Sequence, residues 1–187
     1  MDNPRNIKLV LEYDGTCFHG WQIQKEVRTV QGVLEASLSR LLGNSHKVVA
    51  ASRTDAGAHA RAQVANTYTQ TTLPVQRILA GLNALLPGDV VVKEASEVPL
   101  DFNARRSARS RRYSYRVVVG PSALWRANAW MIRRPLALCV MEEACRAILG
   151  VRDFRAFSTS AEECESCLCA VVECEWKEWS EGYVFEI

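Results

Sequence analysis

The sequence lacks any long apolar run. Among its 187 residues, no uninterrupted apolar stretch reaches the length that a bilayer-spanning helix needs. The first residues also lack the basic, apolar and small-residue order of a signal peptide. We therefore expect a cytoplasmic protein that binds no membrane. The length is sufficient to bury a core in one large domain or two small ones.

Regular cysteine spacing is also missing. The seven cysteines are odd in number and irregularly placed, and a chain of this size folds without cross-links, so we expect reduced thiols. The last four are Cys164, Cys167, Cys169 and Cys174. Their spacing matches none of the usual zinc patterns, and a strand over residues 168–177 would direct Cys169 and Cys174 to opposite faces. We therefore predict small buried apolar side chains here, and no metal site.

Acidic residues are scarce in the first three quarters of the chain. Residues 1–140 carry 19 Lys and Arg against 10 Asp and Glu, whereas residues 141–187 carry 4 against 11. Residues 101–134 contain nine arginines, no lysine and a single acid, Asp101. This density exceeds what solubility requires, so the distribution predicts a polyanionic partner.

The first hundred residues alternate between the periods of strands and helices. Strands are predicted at residues 7–13, 46–51, 63–68 and 90–93. Two amphipathic helices lie between them, one capped by Thr29 and the other opened by Pro74, while Asp14 and Gly15 end the first strand. The order β-α-β-β-α-β predicts an α+β, ferredoxin-like unit with both helices on one face of an antiparallel sheet.

The second half begins the same pattern again. A strand is predicted at residues 112–119, a helix at 138–149, and two further strands at 168–177 and 183–187. We thus expect two ferredoxin-like halves, residues 1–104 and 105–187. A full repeat needs one more helix and strand, so we expect an incomplete second half with an exposed sheet edge and helix-covered face.

Residues 51–62, ASRTDAGAHARA, form a loop between two predicted strands. Rigid strands on both sides would hold the Asp55 carboxylate firmly, which suits a nucleophile or a general base. Arg53 is placed to pair with Asp55, and Gly57 permits a tight turn. The Asp-x-Gly pattern is equally typical of an ordinary turn, and His59 is more typical of a structural loop residue than of a catalyst.

Two other chemistries do not fit the spacing of this loop. An aspartyl-phosphate enzyme of the D-x-D type would need a second acid at position 57, which is glycine. A metal site built on Asp55 and His59 would need another ligand, and neither His19 nor His46 has a suitable spacing.

The segment FNARRSARSRRYSYRV places a cluster of arginines before a strand that carries Tyr113 and Tyr115 on one face. The clustered arginines are Arg105, Arg106, Arg109, Arg111 and Arg112. Guanidinium groups that grip phosphates, followed by an aromatic ring that stacks on a base, are typical of a nucleic-acid site. A solvated basic turn followed by two core tyrosines is the alternative interpretation.

These segments together resemble the tRNA pseudouridine synthases of the TruA type. RTDAGAHA is similar to that family's signature loop, R-T-D-A-G-V-H-A. Four more segments resemble its other blocks in the same order: YDGTCFHGWQIQ, GLNALLPGDV, FNARRSARSRRYSYRV and DFRAFS. The resemblance covers essentially the whole chain.

The resemblance implies a homodimeric isomerase that needs no cofactor and converts uridine to pseudouridine in the anticodon stem-loop of tRNA. Asp55 falls on the family's catalytic aspartate, with Arg53 as its counter-charge. Attack on the ribose, attack on the base and a glycal route are all compatible with this assignment. Tyr113 falls on the aromatic residue that stacks on the flipped base, and the arginine cluster would contact the phosphates.

The chain departs from the family pattern in four places. Ser52, Ala58 and Cys169 stand where glycine, valine and arginine are usual. A later block, F-L-x-x-M-V-R, is absent, and its arginine pairs with the catalytic aspartate in the family. From this absence we expect a truncated product with reduced turnover, and a catalytically impaired RNA-binding remnant is the alternative function.

Overall fold

The computed structural model describes residues 4–158 and 166–187. The chain has two compact units, Met1–Arg109 and Ser110–Ile187. The sequence-based boundary after residue 104 stays a prediction. In the described ranges, no helix has the length and apolar character needed to span a bilayer.

The first unit has the predicted β-α-β-β-α-β order. Its elements are β1 (Arg5–Tyr13), α1 (Val30–Leu42), β2 (Val48–Ala50), β3 (Ala60–Thr69), α2 (Val75–Leu85) and β4 (Val90–Val98). The strands form one sheet in the order β2-β3-β1-β4, and every neighbouring pair is antiparallel. The α+β prediction and the ferredoxin-like arrangement of this half are therefore confirmed.

The core of this unit lies between the sheet and its two helices. Alternate residues of β1 are buried and belong to one apolar cluster with residues of both helices: Ile7, Leu9, Leu11, Leu34, Leu38, Ile78 and Leu82. Because alternate residues of a strand share one face, both helices cover the same side of the sheet. Each fully buried leucine or isoleucine contributes about 1.5–3 kcal/mol of transfer free energy.

The predicted caps set the ends of α1. The hydroxyl of Thr29 accepts a hydrogen bond from the Gly32 N–H at 3.3 Å, which satisfies one free donor of the first turn. Gly43 ends the helix with a φ of 71°, a left-handed conformation that glycine adopts without a steric penalty. Local sequence therefore fixes where this helix begins and ends.

Within residues 110–158 and 166–187, the second unit has seven elements of regular structure beside a short 3-10 turn, Arg155–Phe157. They are β5 (Ser114–Val119), β6 (Trp130–Ile132), α3 (Leu138–Ile148), β7 (Gly150–Asp153), β8 (Leu168–Val171), β9 (Glu175–Trp179) and β10 (Gly182–Glu186). One sheet has the order β6-β5-β10-β9, and β7 pairs with β8 in a separate two-stranded sheet.

Two expectations for this unit were wrong. Residues 168–177 do not form one strand, because β8 pairs with β7 while β9 pairs with β10 in another sheet. The short strands β6 and β7 were missed, since three or four residues carry too little periodicity to be recognised. The strand β6 pairs in parallel with β5.

Candidate active site

Asp55 lies in the loop that joins β2 to β3. The ends of the loop are fixed by hydrogen bonds: the Ala51 N–H donates to the Val64 carbonyl at 2.8 Å, and the Gln63 side-chain amide donates to the Ser52 carbonyl at 2.7 Å. The Asp55 side chain itself is exposed. A carboxylate is thus presented to solvent on a backbone that is anchored on both sides.

A second segment, residues 13–21, clamps this loop from the other side; we call it the clamp segment. The Trp21 N–H donates to the Thr54 carbonyl at 2.9 Å, directly before Asp55. The Gly57 N–H donates to the Phe18 carbonyl at 3.1 Å, two residues after it. Hydrogen bonds on both sides of Asp55 therefore restrict its backbone, which is the preorganisation that a reactive group needs.

Tyr13 connects the clamp segment to the loop through its side chain. Its hydroxyl lies 2.8 Å from the Thr54 hydroxyl, and its ring packs 6.2 Å from the ring of Trp21. Burial raises the pKa of Tyr13, while its hydrogen bonds with Thr54 and Gln63 oppose the rise. Both aromatic side chains are almost fully buried, so the loop is held against the protein core at Thr54.

Two glycines allow the clamp segment and the loop to approach this closely. A Cβ atom on Gly15 would lie 2.0 Å from the Ala58 carbonyl oxygen. One on Gly20, whose φ is 82°, would lie 2.7 Å from the Thr54 carbonyl oxygen. The sequence predicts Gly15 only as a strand end, although two glycines in one segment, YDGTCFHGWQIQ, indicate close backbone approach.

His59 also contacts the clamp segment. The Gly15 N–H donates to His59 Nδ1 at 3.2 Å, and Asp14 Oδ1 lies 3.0 Å from that nitrogen. Hydrogen bonds from the Thr16 hydroxyl and N–H, and then the neighbouring His59, lower the pKa of Asp14. These contacts agree with the structural interpretation of His59.

Asp89, directly before β4, contacts both Arg28 and the clamp segment. Arg28 donates to both carboxylate oxygens of Asp89, at 2.7 and 2.8 Å, and its guanidinium lies 4.0 Å from the ring centre of Phe18. The Asp14 N–H donates to the Asp89 carbonyl at 3.0 Å. Hydrogen bonding to Arg28 lowers the pKa of Asp89, and the same bond raises the pKa of Arg28.

We expect Asp89→Asn to weaken the dependence of stability on acid pH. The lowered pKa means that this pair stabilises the fold above the ordinary aspartate pKa of about 3.9 and is lost as the pH falls towards the lower folded value. Urea unfolding at pH 7 and pH 3 measures the effect, which should reach about 1 kcal/mol at neutral pH. Arg28→Met should flatten the same pH dependence, and additive effects in the double variant would contradict the pairing.

The predicted ion pair between Arg53 and Asp55 does not form. Both side chains are exposed, and no atoms of the two charged groups lie within 4.0 Å of each other in the part of the chain that the structure describes. A solvated arginine gains little from such a pair and loses side-chain entropy, so its absence is physically ordinary. Asp55 is therefore an exposed carboxyl group with no ion-pair partner within 4.0 Å among the described residues.

The arginine cluster is shared between the units. Arg105, Arg106 and Arg109 are exposed in the first unit and make no ion pair within 4.0 Å with any described residue. Arg111 and Arg112 lie in the second unit, and Arg112 pairs with Glu173. A phosphate would have to compete with Glu173 for Arg112, whereas none of the described carboxylates lies within 4.0 Å of the first three arginines.

Tyr113 stands directly before β5. Its N–H donates to the Ile187 carbonyl at 2.7 Å, and the Ile187 N–H donates back at 3.0 Å, so the backbone continues the ladder between β5 and β10. The side chains of Tyr113 and Tyr115 are 56% and 54% exposed, which excludes the core-tyrosine alternative. Asp55 and Tyr113 belong to different units.

The prediction that Cys169 and Cys174 lie on one strand was wrong. Cys169 lies in β8 and Cys174 in the segment between β8 and β9, and Cys164 lies outside the described residues. Burial and then the thiol of Cys145 raise the pKa of Cys174 to about 12. Among the described residues, no three His, Cys, Asp or Glu side chains are arranged to hold a metal ion.

Comparison with known proteins identifies the family. The sequence pattern described as tRNA pseudouridine synthase matches residues 9–105, which include the clamp segment and the Asp55 loop. The chain belongs to the tRNA pseudouridine synthase family. It is 39% identical, over 98% of its length, to the tRNA pseudouridine synthase A of Acetivibrio thermocellus, of which it covers 76%.

Two further members of the family show the same relationship. The chain is 44% identical over 83% of its length to the tRNA pseudouridine synthase A of Citrifermentans bemidjiense and covers 63% of that protein. It is 45% identical over 83% of its length to the corresponding protein of Geotalea daltonii, of which it covers 65%. The chain therefore spans less than two thirds of these two curated relatives.

Proposed function

We propose that this chain is an isomerase that converts uridine to pseudouridine in the anticodon stem-loop of cytoplasmic tRNA. The observation that carries the proposal is the exposed Asp55 carboxylate on a loop that is hydrogen-bonded on both sides to the clamp segment. Membership of the family supports the reaction, since the similar proteins bear the name tRNA pseudouridine synthase A.

The proposed reaction is balanced without a cofactor. The N1–C1′ bond of uridine breaks, the base turns, and a C5–C1′ bond forms. The proton leaves C5, and N1 gains a proton, so no oxidant, reductant or second substrate is consumed. Asp55 would act at the ribose or the base as a nucleophile, or as the base that opens a glycal route.

Tyr113 is the proposed stacking platform for the flipped base. The residue is 56% exposed, while its backbone is held by two hydrogen bonds to Ile187. Stacking on an aromatic ring typically contributes about 1–3 kcal/mol per base. Arg53 and the arginine cluster would bind the sugar-phosphate backbone around that base.

A homodimer is part of this proposal. The second unit exposes several large apolar side chains, and Leu124, Val140, Val151, Phe157 and Leu168 are each more than 60% exposed. A monomeric protein seldom leaves so many large apolar side chains in water, which supports a partner surface on this unit.

A catalytically impaired RNA-binding protein is the second candidate. The absence of an ion-pair partner within 4.0 Å of Asp55, among the described residues, favours it. A carboxylate without a neighbouring cation lacks one means of orientation.

Incubation with an unmodified tRNA transcript tests the two candidates. Pseudouridine is detected by carbodiimide labelling and primer extension, and tRNA binding is measured in parallel. The isomerase proposal predicts conversion of a stem-loop uridine over many turnovers. Binding without conversion would overturn it in favour of the second candidate, and the absence of both would overturn both.

A further inference from the structure

The turn that carries Arg105 and Arg106 is held by three asparagine side chains. Asn6 and Asn66 are completely buried, and Asn103 is partly buried at the start of the turn. None of the three belongs to the predicted site. Buried amides are costly unless their hydrogen bonds are satisfied, so their partners indicate what they hold in place.

The two buried amides fix the chain that leads into the turn. Asn6 Nδ2 donates to the carbonyls of Pro99 and Phe102 at 3.0 and 2.8 Å. Asn66 Nδ2 donates to Asn6 Oδ1 at 2.9 Å, and Asn66 Oδ1 accepts from the Ala104 N–H at 2.9 Å. Since Asn6 lies on β1 and Asn66 on β3, residues 99–104 are anchored to the centre of the sheet.

Asn103 then shapes the turn itself. Its side-chain oxygen accepts hydrogen bonds from the N–H groups of both Arg105 and Arg106, each at 3.1 Å. The Ser107 N–H donates to the Asn103 carbonyl at 2.8 Å and closes the turn. Ala104 is 2% exposed, so the turn is pinned to the protein while both arginine side chains point to solvent.

We propose that Asn103, supported by the pair Asn6 and Asn66, is a positioning residue for a phosphate subsite of the tRNA backbone. The proposal rests on the proposed function, because it takes RNA as the ligand of Arg105 and Arg106. A turn fixed before binding lowers the entropy cost of ordering two long side chains around phosphodiester oxygens. Both arginines lack an ion-pair partner within 4.0 Å among the described residues, so their donors are available.

Asn103→Ala removes the acceptor of both N–H groups and should loosen the turn. We expect weaker binding of an unmodified tRNA transcript. The slope of log affinity against log salt should become shallower by an amount corresponding to about one to two phosphate contacts. The hydroxyl of Asn103→Ser accepts such hydrogen bonds more weakly than the amide does. Its affinity for tRNA and its salt slope should therefore lie between those of the unmodified chain and Asn103→Ala.

Asn83→Ala is the matched control. Asn83 also uses its side chain to hold the backbone: Nδ2 donates to the Val92 carbonyl at 2.9 Å, and Oδ1 accepts from the Val92 N–H at 2.8 Å. It is not part of the arginine turn, so its loss should lower stability without changing the salt slope. Equal slope changes for Asn83→Ala and Asn103→Ala would overturn the proposal.

A double-variant cycle separates positioning from general damage. Arg105→Gln with Arg106→Gln should make the salt slope shallower, and Asn103→Ala should add nothing further in that background. A persisting effect of Asn103→Ala, or no effect of the two arginine changes, would overturn the proposal. Pseudouridine formation is scored in the same preparations. If the salt slopes of the variants are unchanged while uridine is converted normally, only the positioning role of Asn103 is rejected. If the salt slopes change as expected but no pseudouridine forms, only the isomerase proposal is rejected.

Discussion

Asp55→Asn should reduce pseudouridine formation by at least about a thousand-fold, the range expected when a nucleophile or general base is lost. The amide has nearly the same shape as the carboxylate, so the hydrogen bonds that hold the loop backbone should remain. Single-turnover kinetics with an unmodified tRNA transcript measures the loss, and the tRNA dissociation constant should change by no more than roughly twofold.

Glu94→Gln provides the control for this charge change. Glu94 is an exposed acid of β4 in the same unit, and it makes no ion pair within 4.0 Å with the described residues. Its substitution should alter neither turnover nor binding. If Asp55→Asn and the unmodified chain converted uridine at equal rates, Asp55 would not be the reactive carboxylate, whatever the loop geometry.

After Asp55→Asn, the largest effect is expected for Gly15→Ala. The new Cβ would lie 2.0 Å from the Ala58 carbonyl oxygen, well below the closest approach of real Cβ atoms, and a backbone oxygen cannot move away by changing a rotamer. The clamp segment and the Asp55 loop must therefore separate. We expect a loss of about 1–3 kcal/mol in the free energy of unfolding, as for other overpacked sites.

The separation should also lower turnover by roughly a hundred-fold, since a displacement of about 1 Å misaligns the reacting atoms. Urea unfolding and single-turnover kinetics, at a temperature where both proteins are folded, measure the two effects. Gly88→Ala is the matched control, because its Cβ would meet no atom within 4 Å. Full turnover in Gly15→Ala would show that the clamp does not position Asp55.

The sequence predicts the first unit well because its signals are local. Alternating apolar residues in β1 and the stripe of α1 depend only on the pleat and on the helical period, and the Thr29 cap lies within one turn of its donor. The loop that carries Asp55 follows from the same logic, since it lies between two recognisable strands. These features survive in any fold that buries the two helices on the sheet.

The second unit was predicted less well for the same reason. The strands β6 and β7 have three and four residues, and most side chains of α3, β7 and β8 are not buried. Periodicity is a signal of burial, so elements with little burial carry little of it. The break between β8 and β9 depends on which partner strand each one meets, and no short window contains that information.

By itself, the sequence determined the order of elements in the first unit, the loop that presents Asp55 and the concentration of arginines after residue 104. Only the tertiary structure decided how these are held. Three contacts join residues far apart in the chain: the close approach of Gly15 to Ala58, the ion pair of Arg112 with Glu173, and the hydrogen bond between the side chains of Asn66 and Asn6. Such contacts form only when strands and loops pack, because their geometry depends on distant backbone that no local pattern describes.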